Sequence, residues 1–166
     1  MAVEFTDNSI KVKAALDDAA IAFLYEIGGE AEAQVKRNVP PGQWYAQQKN
    51  NWTYKVDESK HEAIIGNPMQ QSLWTEYGTG EFALHGDGRK GYWVYVKGSD
   101  GSESSHGGKS YTLSEAKRIV AMMRGDGLDA HYTKGQEAKR PLFKALESIK
   151  GVIEARAKTI FSGRMN

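Results

Sequence analysis

Leu73-Trp74-Thr75-Glu76-Tyr77-Gly78-Thr79-Gly80 is the stretch from which the organisation of this chain is read. An apolar, aromatic segment runs into a carboxylate and then into two glycines around a threonine. The pattern predicts the end of a short helix turning sharply onto a strand, because glycine adopts positive φ without the penalty a Cβ imposes. Glu76 and Tyr77 are then fixed on the turn, and none of the residues forms a catalytic signature.

Outward from the turn, Asn67-Pro68 opens the short helix, with Met69, Leu73 and Tyr77 expected on one side of it. Before it, Trp52-Thr53-Tyr54-Lys55-Val56-Asp57 alternates large and polar residues. Glu62-Ala63-Ile64-Ile65-Gly66 reads as its hairpin partner across Glu58-Ser59-Lys60-His61. On the other side, Gly86-Asp87-Gly88-Arg89-Lys90-Gly91 reads as a turn, Tyr92-Trp93-Val94-Tyr95-Val96 as a strand and residues 98–108 as a glycine- and serine-rich loop. Thr112-Leu113-Ser114-Glu115 fits a capping box before a helix carrying Leu113, Ala116, Val120 and Met123 and closed by Gly125 and Gly127. Leu128-Asp129-Ala130-His131-Tyr132-Thr133 reads as a further strand. Strand, helix and strand form a βαβ-like unit, which requires a right-handed crossover if its strands are parallel.

Two long helices enclose these elements. Thr6-Asp7-Asn8-Ser9 supplies capping chemistry ahead of Leu16, Ala20, Phe23, Ile27, Ala31 and Val35, an apolar stripe at spacings of three and four. Gly28-Gly29 in its middle predicts a kink or a close contact. Pro40-Pro41-Gly42 must end it, since proline disfavours the α conformation in the residue before it. Residues 43–52 are amide-rich without a period and read as a loop. Val3-Glu4-Phe5 reads as a short strand or arm. The last helix begins at Pro141, carries Leu142, Leu146, Ile149, Ile153, Ala157 and Ile160, and is expected to stop at Gly163.

The expected class is therefore α+β: two long helices packed on a small, mainly antiparallel sheet, with an inserted strand-helix-strand unit. At 166 residues and 40% hydrophobic content the chain suits a single domain 1–166, with a core of 1–80 and 140–166 and an insertion of 81–139. It contains no cysteine, which removes disulfides, thiolate metal sites and cysteine nucleophiles. No apolar run approaches the roughly 20 residues of a membrane helix, and the acidic N-terminal segment is unlike a signal peptide, so a soluble, unexported chain is expected. Twenty-two basic residues against 21 acidic ones leave no global field for a polyanion.

Each chemical motif has a plainer reading. Gly86-x-Gly88-x-x-Gly91 matches the dinucleotide fingerprint, but a strand follows where that site needs a helix N-terminus. Gly107-Gly108-Lys109-Ser110 resembles a phosphate-loop tail, yet Glu103 stands where the motif needs glycine. His61, His85, His106 and His131 lack metal-ligand spacing, and the serines around His106 lack a nucleophile elbow. No catalytic residue, metal or cofactor is expected, and a hydrolase would need His106 or His85 beside a serine. Tyr92, Trp93 and Tyr95 beside Lys90 and Lys97 suit either a packed strand or a base-stacking surface. A nucleic-acid-binding module on that strand is the alternative function.

Three segments, Lys36-Arg37-Asn38-Val39-Pro40, then Glu76-Tyr77-Gly78-Thr79, then Arg140-Pro141-Leu142-Phe143-Lys144-Ala145, occur in an order that resembles a known family. It is the neck or tail-completion proteins of long-tailed bacteriophages, which join head to tail. The family shows a long first helix with a basic end, a proline-glycine loop, a strand pair, a helix ending in Glu, aromatic, Gly, Thr, and a proline opening the last helix. The resemblance covers roughly residues 9–80 and 140–161. The usual Thr-Gly-x-Leu is not visible in Pro41-Gly42-Gln43-Trp44, a second proline is Lys144, and the 59 residues 81–139 separate the motifs. What the resemblance implies is a non-enzymatic virion protein of the neck, assembled in the bacterial cytoplasm. It implies a homo-oligomeric ring, of six subunits by preference, between the head connector or stopper and the tail terminator or tube. No membrane contact and no specific nucleic-acid binding are expected, with DNA free to pass through the ring. The expected interface and structural positions are Glu76, Tyr77, Gly78, Thr79, Gly80, Pro141, Leu142, Phe143, Pro40 and Trp44.

Overall fold

A computed structural model describes residues 7–99, 103–105 and 108–162. The expected arm at Val3-Glu4-Phe5, the stop at Gly163 and His106 lie outside them. The class is α+β, and the chain divides into two compact units, Met1–Met69 with Pro141–Asn166, and Gln70–Arg140. The short helix and its turn, expected with the long helices, therefore group with the second unit.

In the first unit α1 spans Ser9–Asn38, its first amide held by the Asp7 carboxylate at 2.9 Å. Ala19, Phe23, Gly28, Ala31 and Val35 are buried along it, close to the expected stripe. Val39 leaves the helix at φ −62° and ψ 128°, the extended conformation that a following proline enforces. Strands β1 (Thr53–Asp57) and β2 (Glu62–Gly66) form the expected antiparallel hairpin, with Tyr54 opposite Ile65.

The Tyr54 ring explains the paired glycines of α1. A Cβ at Gly28 would lie 2.8 Å from Tyr54 Cε2 and closer still to Cδ2, whereas one at Gly29 would meet the ring only at ordinary contact distances, 3.7 Å or more. Gly28→Ala is expected to lose up to about 2 kcal/mol, because overpacking of about 1–3 kcal/mol offsets or exceeds the roughly 1 kcal/mol gained in helix propensity. Gly29→Ala is expected to gain about 1 kcal/mol. Urea-unfolding midpoints check these opposite signs.

Residues 43–52, expected as a loop, contain helix α2 (Gln43–Asn50). Eight amide-rich residues cannot hold a helix alone, so tertiary contacts decide it. Gln48 is buried, the Asn67 side-chain amide donates to its carbonyl at 2.7 Å, and Tyr45 packs on the core. That core is Val35, Val39, Trp52 and Ala145, with Ile65 and Leu142 at its edge. Helix α5 (Pro141–Ser162) runs along α1 and buries Pro141, Ala145 and Ile149. Arg156 joins the two helices by bonds of 2.7 Å to both Glu26 and Glu30.

The second unit holds α3 (Gln70–Tyr77), a 3-10 turn (Gly80–Phe82), β3 (Trp93–Lys97), β4 (Glu103–Ser105), α4 (Leu113–Gly125) and β5 (Ala130–Thr133). The sheet order is β4-β3-β5 and both pairings are antiparallel, so the crossover rule for parallel strands does not apply. The expected loop 98–108 contributes β4, which makes a β3–β4 hairpin before α4. The capping box is present: Thr112 Oγ1 accepts from the Glu115 amide while the Glu115 carboxylate accepts from the Thr112 amide at 2.8 Å. Val94, Ala116, Val120 and Ala130 form the core between α4 and the sheet.

Candidate functional site

Helix α3 turns polar side chains inward and apolar ones outward. Ser72, Thr75 and Glu76 are buried, while Leu73 (57% exposed), Trp74 (39%) and Tyr77 (47%) stand outward. Burying Thr75 costs little, because its hydroxyl donates to the Gln71 carbonyl at 2.9 Å within the helix.

The turn that follows is built from backbone bonds. Gly78 N donates to Trp74 O at 2.9 Å and closes the helix with φ +74°. Thr79 N donates to Gln136 O at 2.9 Å and Thr79 Oγ1 accepts from Gln136 N at 3.0 Å. Glu81 N donates to Lys134 O at 3.0 Å, and Thr75 O accepts from Lys139 N at 2.8 Å and Arg140 N at 3.2 Å. Residues 134–140 thus run beside the turn from Thr75 to Glu81. The chain then passes into the 3-10 turn and not, as expected, directly onto a strand.

Small residues make this fit possible. A Cβ at Gly80 (φ +59°) would collide with Lys134 O and sit 2.7 Å from Trp93 Cη2. One at Gly88 would strike the Gly80 carbonyl oxygen, and one at Gly135 the Thr79 carbonyl oxygen. Within Gly86-x-Gly88-x-x-Gly91, it is Gly88 that serves close backbone packing onto the turn.

Glu81 ties the rim of the turn to the strand entry. Its carboxylate accepts from Gly91 N at 3.2 Å and pairs with Lys134 Nζ at 3.3 Å, and these two partners hold its pKa below the ordinary 4.5. A depressed carboxylate pKa contributes stability above the ordinary value and loses it as pH falls through the lowered one. Glu81→Gln is therefore expected to be less stable than the parent near pH 7, with the difference shrinking below about pH 4.5. Urea titrations at both pH values measure it.

The ten expected positions fall into the two units. Glu76, Tyr77, Gly78, Thr79 and Gly80 form the turn just described. Tyr77 carries the His85 ring at 5.7 Å, and its carbonyl accepts from Leu84 N at 3.0 Å. In the first unit the Pro40 and Pro141 segments meet: the Asn38 side-chain amide donates to Pro141 O at 3.3 Å, and Leu142 packs on Val35, Val39, Trp52 and Ala145. Trp44 is 48% exposed and edge-on to Tyr45 at 4.7 Å, and Phe143 is 44% exposed. Sequence reading missed Leu84, Lys134, Gly135 and Gln136. Only Gly135 carried a signal, a lone glycine between a strand and a proline.

The other candidate chemistry is dispersed. His131 Nε2 lies 2.8 Å from Asp129 Oδ1 and its ring stacks on Tyr95 at 5.5 Å. Ser105 and His131 are both register partners of Tyr95, from opposite sides. Two strand spacings, about 9–10 Å, separate them, which is beyond a serine–histidine hydrogen bond. Among the described residues no group of three or more His, Asp and Glu side chains is placed to hold a metal, and no helix is long and apolar enough to cross a membrane. Compared with protein-family models, curated proteins and solved structures, the chain gives no match.

Proposed function

We propose that this chain is a structural protein of a phage neck, forming a homo-oligomeric ring, six-membered by preference, that joins the head connector or stopper to the tail terminator or tube. The observation that carries the reading is the outward apolar rim of Leu73, Trp74, Tyr77 and Leu84 beside a turn fixed by backbone bonds. Neighbouring large apolar side chains exposed on a rigid support are what a protein interface requires, and aromatic anchors dominate such interfaces. The resemblance in Glu76-Tyr77-Gly78-Thr79 and Arg140-Pro141 falls on this same turn and on the backbone clasp between Thr75 and Arg140.

Full burial of one such side chain contributes about 1.5–3 kcal/mol, against about 4–15 kcal/mol for loss of rotational and translational freedom. One rim alone is thus marginal, and Trp44 and Phe143, exposed on the first unit, supply further contact. In this reading Gly78, Thr79, Gly80, the buried Glu76 and Pro141 and the half-buried Pro40 and Leu142 hold the frame, while Tyr77, Trp44 and Phe143 touch neighbours. The protein acts by contact and not by catalysis. Native mass measurement at micromolar concentration tests it: a discrete multimer is expected, and a monomer at every concentration would refute it.

The base-stacking alternative ranks behind because its rings are engaged. Arg89 lies over Trp93 at 5.2 Å, Tyr92 meets Tyr132 edge-on at 5.9 Å, and Tyr95 stacks on His131. Burial, then the Glu103 and Asp129 carboxylates, raise the Tyr95 pKa, and a surface with that negative charge repels phosphate.

A further inference from the structure

In the first unit, α1, α5 and the β1–β2 hairpin leave an apolar groove of about 100 Å³ between them. Gly28 and Ala31 form its floor on α1, Ala63, Ile64 and Ile65 a wall on β2, and Leu146 a lip on α5. Gly28, Ala31 and Ala63 are too small to fill it, and Ile64 and Leu146 remain 58% and 43% exposed. Side chains alternate between the two faces of a strand, so three successive residues of β2 border one groove only along the strand's edge. β2 pairs with β1 alone, and no other strand among the described residues lies on that edge. An unpaired strand edge beside an apolar hollow suits an extended segment with apolar residues at alternate positions: its backbone joins the edge and its side chains enter the hollow.

Val3-Glu4-Phe5 is such a segment and lies outside the described residues. The other stretches outside them, 100–102, 106–107 and 163–166, contain no such apolar pair. The groove of the same copy is out of its reach. Gly28 lies about 28 Å along α1 from Ser9, at about 1.5 Å per residue. Fully extended, Phe5 reaches at most about 14 Å from Ser9 and Val3 about 22 Å. We infer that the groove receives Val3-Glu4-Phe5 of a second copy of this chain, added as a strand to β2 with Phe5 in the hollow. A closed apolar cavity of about 150 Å³ holds benzene, so an open groove somewhat smaller takes one phenyl ring with its edge against Leu146. Arm and groove are different surfaces, so the contact runs head to tail and repeats from copy to copy around a ring. It rests on the self-association proposed above and supplies one of its contacts.

Sedimentation of the full chain at micromolar concentration tests the inference. Phe5→Glu and Leu146→Glu are each expected to weaken association at least tenfold. Val152→Glu, at a residue of α5 that is 38% exposed and does not line the groove, is expected to leave association unchanged. Circular dichroism checks that each variant folds. Mixed in equal amounts, the Phe5→Glu and Leu146→Glu chains are expected to form a two-chain species that grows no further, because one intact arm then meets one intact groove. Loss of association in Leu146→Glu but not in Phe5→Glu would give the groove a different occupant and overturn the assignment. Association indifferent to both would overturn it and leave the ring standing. Open chains or pairs that Phe5→Glu dissolves would sink the closed ring and keep the arm contact. If the native chain is monomeric, a labelled peptide of residues 1–8 separates the two readings: saturable binding that Leu146→Glu removes keeps the groove assignment, and no binding overturns it.

Discussion

Gly80→Ala is expected to destabilise the protein by about 2–5 kcal/mol. The residue sits at φ +59°, where an L side chain costs about 1–2 kcal/mol. Its added Cβ would meet the Lys134 carbonyl and the Trp93 ring edge, and neither is the free end of a flexible chain. Relieving that overlap costs a further 1–3 kcal/mol or so through displaced backbone. Gly86 is the control, since it has φ +71° but nothing within 4 Å of its would-be Cβ. Gly86→Ala is expected to lose only about 1–2 kcal/mol, the conformational part alone. A whole domain is stable by about 5–15 kcal/mol, so the difference separates a crippled protein from a tolerant one. Chemical unfolding of the two variants measures it, and equal losses would show that the turn is not tightly packed.

Trp74→Glu is expected to abolish assembly while leaving the fold within about 0.5 kcal/mol of the parent. The side chain is outward, and its backbone carbonyl, which accepts from Gly78 N, is untouched by the change. Central aromatic anchors carry about 2–4 kcal/mol of an interface, which is roughly 30- to 1000-fold in the association constant. Sedimentation checks association and thermal unfolding checks the fold. Loss of fold with loss of assembly would place Trp74 in the core, and unchanged assembly would remove α3 from the interface.

The long elements were legible because their signals are redundant. Helix α1 combines a stripe from Ala19 to Val35 with a proline stop, and α4 has a capping box whose two bonds both form. The hairpin Thr53–Asp57 and Glu62–Gly66 was readable from alternation. Helix α2 was not, since its support comes from Asn67 and the Val35 cluster, distant in sequence. Strand β4 is three exposed polar residues, with no apolar alternation to reveal it. The partner of the turn, residues 134–140, is joined by backbone groups that every residue carries, so side-chain patterns are silent about it. The outward facing of Leu73 and Tyr77 was not legible, because hydrophobicity ranks a leucine inside before a threonine whose hydroxyl is satisfied by its own helix. Those residues became the surface on which the proposed function rests.

The most direct test is imaging of long-tailed phage particles assembled with this protein bearing an electron-dense label. The account predicts density for a closed ring of this chain, six copies by preference, at the junction of head and tail, and tailless heads when the protein is withheld. Complete, infectious particles that lack the protein, or a label found away from that junction, would contradict it.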